Sequence, residues 1–124
     1  MSKPSGEVTI QTLAMPSDTN ANGDIFGGWL VSQMDLAAGV LAKKLARGRA
    51  ATVAINSMTF LKPVHVGDVV TCYAELLKRG NTSMTISVQV WIEALSSGEI
   101  YQVTEGTFVF VAIDDNGRPR PITK

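Results

Sequence analysis

The stretch that most constrains this chain is Gly27–Ala42. Trp29, Leu30, Val31, Met34, Leu36, Ala37, Ala38, Val40, Leu41 and Ala42 crowd into it, and the only polar residues among them are Ser32, Gln33 and Asp35. A helix apolar on every side is normally buried. A helix from about Gly27 to Arg47 is therefore predicted to run through the core. It is too short, and too interrupted by Gln33 and Asp35, to span a membrane. Lys43, Lys44 and Arg47 suit the negative end of its dipole, and Gly48 is the predicted C-cap. Asp35 then becomes a carboxylate inside a core element, where a charge without a partner is expensive.

The rest of the chain reads as strands. Val8, Ile10 and Thr12 alternate ahead of a loop at Ala14–Ile25 that is rich in turn formers. Ala51–Phe60 and Val69–Lys78 follow the helix, the latter with Val70, Cys72, Ala74 and Leu76 on one face. Met84, Ile86, Val88, Val90 and Ile92 alternate with polar residues, the clearest strand signal present. Ile100–Ile113 is the last long strand, and Asp114-Asp115-Asn116-Gly117 ends it. Short turns between strands imply antiparallel neighbours. Five strands about 4.8 Å apart make a sheet roughly 24 Å wide, and one helix about 10 Å across cannot cover that if it is flat. The fold class is therefore α+β, a five-stranded antiparallel sheet curled around one long central helix. Its uncovered area and open edges favour a homo-oligomer.

Length and composition narrow the function. At 124 residues the chain is predicted to be a single domain, residues 1–124, with enough apolar content (45%) for a real core. Eleven basic residues balance eleven acidic ones, which gives no electrostatic case for nucleic acid or an anionic membrane. One cysteine, Cys72, excludes an internal disulfide and favours a reducing cytoplasmic setting. Met1–Glu7 lacks the apolar segment of a signal peptide.

Several residues carry potential chemistry. A desolvated Asp35 suits a general base or a nucleophile; the plainer alternative is a buried carboxylate bonded to a neighbouring strand. Gly27 and Gly28 open the helix, where unpaired N–H groups and the positive dipole end would stabilise an oxyanion. Asp35 lies about 10 Å beyond Gly28 along the axis at 1.5 Å per residue, so one reacting carbon cannot easily reach both in one chain. A second helix, antiparallel across a two-fold axis, would bring Asp35 of one copy to Gly27-Gly28 of the other. Asp24 stands at the loop–helix junction as an N-cap candidate. Asp18-x-Asn20-x-Asn22-Gly23 mimics the start of a calcium loop, but Trp29 stands where a bidentate Glu is required. His65, the only histidine, has no companion for a metal site, and no Gly-x-Ser-x-Gly elbow is present. Trp29 is a candidate wall for an apolar tunnel.

Met15-Pro16-Ser17-Asp18, Asn22–Trp29 and Ser32-Gln33-Met34-Asp35 together resemble the signature of the YciA-type acyl-CoA thioesterases of the hotdog-fold acyl-CoA hydrolases. Phe60-Leu61-Lys62-Pro63, Val66-Gly67-Asp68 and Gly80-Asn81-Thr82-Ser83 extend the likeness over about Thr12–Thr123. The resemblance implies a hotdog fold and hydrolysis of acyl-CoA to free CoA and a carboxylic acid. It implies no metal or other cofactor, CoA entering only as part of substrate and product. Asp35 takes the place of the family's catalytic aspartate. Relatives often carry Asn where this chain has Asp24. The turn Arg79-Gly80-Asn81-Thr82-Ser83 would meet the nucleotide end of CoA, with Arg79 on phosphate and Lys62 assisting. A hexamer built as a trimer of dimers is the implied assembly. The alternatives are a non-catalytic acyl-CoA-binding sensor and a hotdog dehydratase, though the latter needs a histidine that the helix lacks.

Overall fold

A computed structural model describes residues 4–122; Met1–Lys3 of the N-terminal stretch and Thr123–Lys124 of the tail lie outside the described residues. The elements in chain order are β1 (Glu7–Leu13), a 3-10 turn (Pro16–Asp18), α1 (Gly27–Ala46), β2 (Ala50–Phe60), β3 (Val69–Arg79), β4 (Ser83–Glu93) and β5 (Ile100–Ala112). The strands form one sheet in the order β1-β3-β4-β5-β2, with every pairing antiparallel. This is the expected hotdog architecture, and α1 touches all five strands because the sheet curls around it.

The core follows from two periodicities. Leu30, Met34, Ala37, Ala38, Leu41, Ala42 and Ala46 recur at helical spacing and are buried. Their alanines let the helix approach the sheet closely. Opposite them stand Val70, Cys72 and Ala74 of β3, Met84, Ile86, Val88, Val90 and Ile92 of β4, and Phe108, Phe110 and Ala112 of β5. Burial of about this kind stabilises by roughly 1.5–3 kcal/mol per large apolar side chain.

Two expectations about α1 are corrected. The residue that takes the left-handed conformation at its end is Arg47 (φ 53°), one position before the predicted cap Gly48. Gly48 serves instead to make room: a Cβ there would meet the Arg120 guanidinium at 2.8 Å. That guanidinium donates to the Ala46 carbonyl at 2.9 Å, satisfying one of the helix's last acceptors. The helix is also not covered on every side, since Leu36 is 57% and Val40 40% exposed. Asp35 borders this open face and is only half-buried. The physical reason is width: the sheet wraps one side of the cylinder and stops at β2.

β2 is an edge strand of eleven residues, with Val53, Ile55 and Phe60 about half exposed. A long apolar edge of this kind is a template for pairing with another chain.

Candidate active site

The start of α1 is an unfilled donor site. Phe26 occupies the N-cap in an extended conformation (φ −78°, ψ 151°) with no side-chain cap hydrogen bond. Among the described residues, neither the Gly27 nor the Gly28 N–H finds a partner. Two rings flank them. A Cβ on Gly27 would stand 3.3 Å from the Phe60 ring, and one on Gly28 would stand 3.3 Å from the Phe26 ring. Glycine therefore keeps the approach to these amides open.

Asp35 sits two turns further along, where β2 passes the helix. The Thr52 hydroxyl donates to Asp35 Oδ1 at 2.6 Å, in the short range of a hydrogen bond to a carboxylate. Among the described residues Oδ2 accepts no hydrogen bond. A depression of about 340 Å³ lined by Ile10, Leu36, Gly39, Val40 and Phe110 opens beside the pair. Asp35 is thus bonded to a neighbouring strand, as the plainer reading has it, but it is half-buried rather than buried, and Oδ2 is left without a protein partner among the described residues.

The loop ahead of α1 is held by its own amides. Asn20 Oδ1 accepts from the N–H groups of Asn22 (2.9 Å) and Asp24 (3.2 Å), which is turn chemistry proper to asparagine. Its side-chain NH₂ makes no described hydrogen bond, so an amide donor is presented. Asp24 does not cap the helix, as it stands two residues before the N-cap Phe26. Its carboxylate lies 3.7 Å from His65 Nε2 instead, a largely solvated contact. The Ile25 N–H donates to the Val64 carbonyl at 3.0 Å, tying the loop to the β2–β3 connector.

The site residues expected from sequence fall into two groups at opposite ends of the sheet. Asp24, Gly27, Gly28 and Lys62 gather at one end, beside Phe60. At the other, Thr52 pairs across to Phe110, Phe110 to Met84 and Met84 to Arg79. Cross-strand partners share a face, so Arg79 stands in the same row as Thr52, three strand spacings or about 14 Å away. Gly80, Asn81 and Thr82 form the turn, with Gly80 N–H donating to the Ser83 carbonyl at 2.8 Å; Arg79 and Ser83 belong to the strands. Lys62 is not brought to this turn. It follows β2's far end, eight residues or about 26 Å beyond Thr52, with its ammonium 4.7 Å from the Tyr101 ring centroid. Gly27 and Asp35 are about 12 Å apart along the helix.

Among the described residues no group of His, Cys, Asp and Glu could hold a metal ion, and no helix is long and apolar enough to cross a membrane. Burial pushes the Cys72 thiol up to about 12, which marks it as an inert core residue. The Tyr101 hydroxyl is also raised, by desolvation and then by Asp68 and Glu99. Sequence reading gives Thr52 no part in a site, meets Asn20 only in the calcium-loop mimic and Phe60 only within the Phe60–Pro63 likeness. Asn20 alone carried a local signal, its place before Ala-Asn-Gly in a turn.

The sequence model of the thioesterase superfamily matches residues 22–98. The acyl-CoA thioester hydrolase YciA of Salmonella typhimurium is 56% identical over 122 residues, covering 96% of this chain and 92% of that protein. The hexameric thioesterase y2039 from Yersinia pestis superposes with a TM-score of 0.94 at 55% identity, covering 98% of this chain and 99% of that one. An acyl-CoA hydrolase from Staphylococcus aureus, solved with butyryl coenzyme A, coenzyme A and coenzyme A disulfide, matches with a TM-score of 0.84 at 31% identity, over 91% and 69% of the two chains. The same enzyme was also solved with an asparagine, and separately with an aspartate fifteen positions later, replaced by alanine.

Proposed function

The chain belongs to the thioesterase superfamily, and from that footing we propose that it hydrolyses acyl-CoA to CoA and a carboxylic acid in a site shared by two copies. The observation that carries the shared site is the separation of Asp35 from the free amides of Gly27 and Gly28, about 12 Å along one helix. An antiparallel partner helix closes that gap. The apolar edge of β2 and the uncovered Leu36 and Val40 supply the surface for it.

In this arrangement the carbonyl oxygen of the thioester rests on the amides of Gly27 and Gly28. Asp35 from the other copy either takes a proton from an attacking water or adds to the carbonyl carbon itself. Each route puts negative charge on the carbonyl oxygen, which the amides stabilise. Collapse breaks the C–S bond, and the CoA sulfur leaves and is protonated. On the second route water then hydrolyses the anhydride and restores Asp35. Thr52 fixes the carboxylate.

Asn20 supplies the amide donor that Asp24 lacks. Its support is the orientation set by its two accepted hydrogen bonds and a spacing: Asn20 and Asp35 are separated as the two residues replaced in the Staphylococcus aureus enzyme are. Arg79 and the turn Gly80-Asn81-Thr82, with Ser83, meet the nucleotide phosphates on the Asp35 side. The reaction needs no metal or cofactor, and the chain works as a cytoplasmic single-domain homo-oligomer, a trimer of dimers.

A thiol-release assay over a series of acyl-CoAs tests the activity. The wild type should liberate CoA, and Asp35→Ala should bind acyl-CoA and release none. Binding without release by the wild type would instead identify a sensor. Full activity in Asp35→Ala would remove the aspartate from the mechanism.

A further inference from the structure

Beside Gly27 lies a pocket of about 360 Å³ lined by Ile25, Leu30, Phe60, Leu61, Pro63 and Val64. Its floor is apolar, with Ile25, Leu30 and Val64 all at least 95% buried, while Phe60 and Leu61 are half exposed at its mouth. Lys62, the one charged residue at the rim, lays its ammonium over Tyr101. Trp29, the sequence candidate for such a wall, does not line it.

We propose that this pocket receives the acyl chain of the thioester and that Phe60 sets the chain length accepted. The inference rests on the thioesterase reading above and deepens it. A carbonyl held at the Gly27 amide has two substituents, and they must leave in different directions. One is the CoA arm, with amides and phosphates. The row holding Arg79 lies at the opposite end of the sheet from Gly27, so that arm runs toward the partner's end. The other substituent is the alkyl chain, and beyond the Gly27 amide and the Lys62 rim the cavity is walled by apolar side chains. The Phe60 ring, 3.3 Å from where a Gly27 Cβ would be, lines the cavity next to the amide. The volume is about a dozen times the 30 Å³ of a liquid water, which suits a short or medium chain.

The test is kcat/KM across acetyl-, butyryl-, hexanoyl-, octanoyl- and decanoyl-CoA for the wild type, Phe60→Ala and Leu61→Trp. Each methylene that enters an apolar pocket raises kcat/KM by up to about fourfold, so the wild-type value should climb and then level off. Phe60→Ala should move the plateau to longer chains, and Leu61→Trp should move it to shorter ones, while inhibition by free CoA stays within about twofold. Both positions are half exposed in the single chain, so each variant should fold, and because Phe60 ends the β2 edge offered to the partner, the assembly of Phe60→Ala is compared with the wild type by gel filtration. A wild type indifferent to chain length, or variants that scale every substrate by one factor, would overturn the pocket assignment alone. Absence of thiol release from every acyl-CoA by the wild type would sink the activity reading, and the pocket with it.

Discussion

Thr52→Val is the sharpest probe of how the fold holds its carboxylate. Valine matches threonine in shape and suits a strand, but it cannot donate the 2.6 Å hydrogen bond to Asp35 Oδ1. A hydrogen bond to a charged group is worth about 1.5–3 kcal/mol. Each 1.36 kcal/mol removed from transition-state stabilisation costs about a tenfold drop in rate. Loss of this contact should therefore lower kcat by about 10- to 100-fold. KM should hold, because Thr52 reaches substrate only through Asp35. Thermal stability should shift little, since Thr52 is exposed in the single chain and its bond there is screened by water. Thr52→Ser, which restores the hydroxyl, should recover most of the rate. Steady-state kinetics and a thermal melt on the three proteins decide the matter. An unchanged kcat in Thr52→Val would refute the claim that β2 orients the carboxylate. A rate loss matched by an equal loss of stability in both variants would do the same.

Three further outcomes follow from the structure. Arg79→Ala should raise KM for acyl-CoA by about tenfold with kcat kept, the loss of one charge-assisted phosphate contact, and that increase should shrink at high salt; an unchanged KM contradicts the phosphate role. Asn20→Ala should lower turnover more than Asp24→Asn, because only the first removes the presented amide and the turn bonds it makes; the reverse ranking would return the role to Asp24. Burial holds the Cys72 proton up to about 12, whereas the unfolded thiol releases it near 8.5, so above that pH the folded state binds more protons and stability falls by up to about 1.4 kcal/mol per pH unit. Urea unfolding at pH 8, 9 and 10 should show this slope flattened in Cys72→Ala, and identical slopes would contradict it.

The helix and the strands were legible because each carries its own period. The alternation of Met84–Ile92 marks a half-buried strand, and Leu30, Met34, Ala37, Ala38, Leu41 and Ala42 of α1 face the core while Leu36 and Val40 do not. The likeness of Met15–Asp35 to a known signature is what singled out Asp35 and the two glycines as candidates. What stayed hidden depends on register between distant segments. Nothing near Thr52 in sequence says that it faces Asp35, since that contact is set by where β2 stops along the helix. The resemblance grouped Lys62 with Arg79; within one chain the pairing along β2 and β3 puts them at opposite ends of the sheet, a separation no local signal shows. The burial of Asp35 was overestimated for a related reason. An all-apolar helix implies cover on all sides, and in one chain the sheet reaches only part of the way round.

The shared site itself is tested most directly by mixing two dead subunits. Asp35→Ala removes the carboxylate. Gly27→Pro removes an amide donor, and the extended Phe26 before it accommodates a proline at the first helical position. Each variant alone should lose at least about a hundredfold in kcat. Co-expressed in equal amounts, half the dimers are hybrids, and each hybrid holds one intact Asp35 facing one intact Gly27, so thiol release should return to about a quarter of the wild-type rate. Release that remains at the sum of the two inactive parents, in a preparation shown to contain hybrids, would place both groups of the site within a single chain.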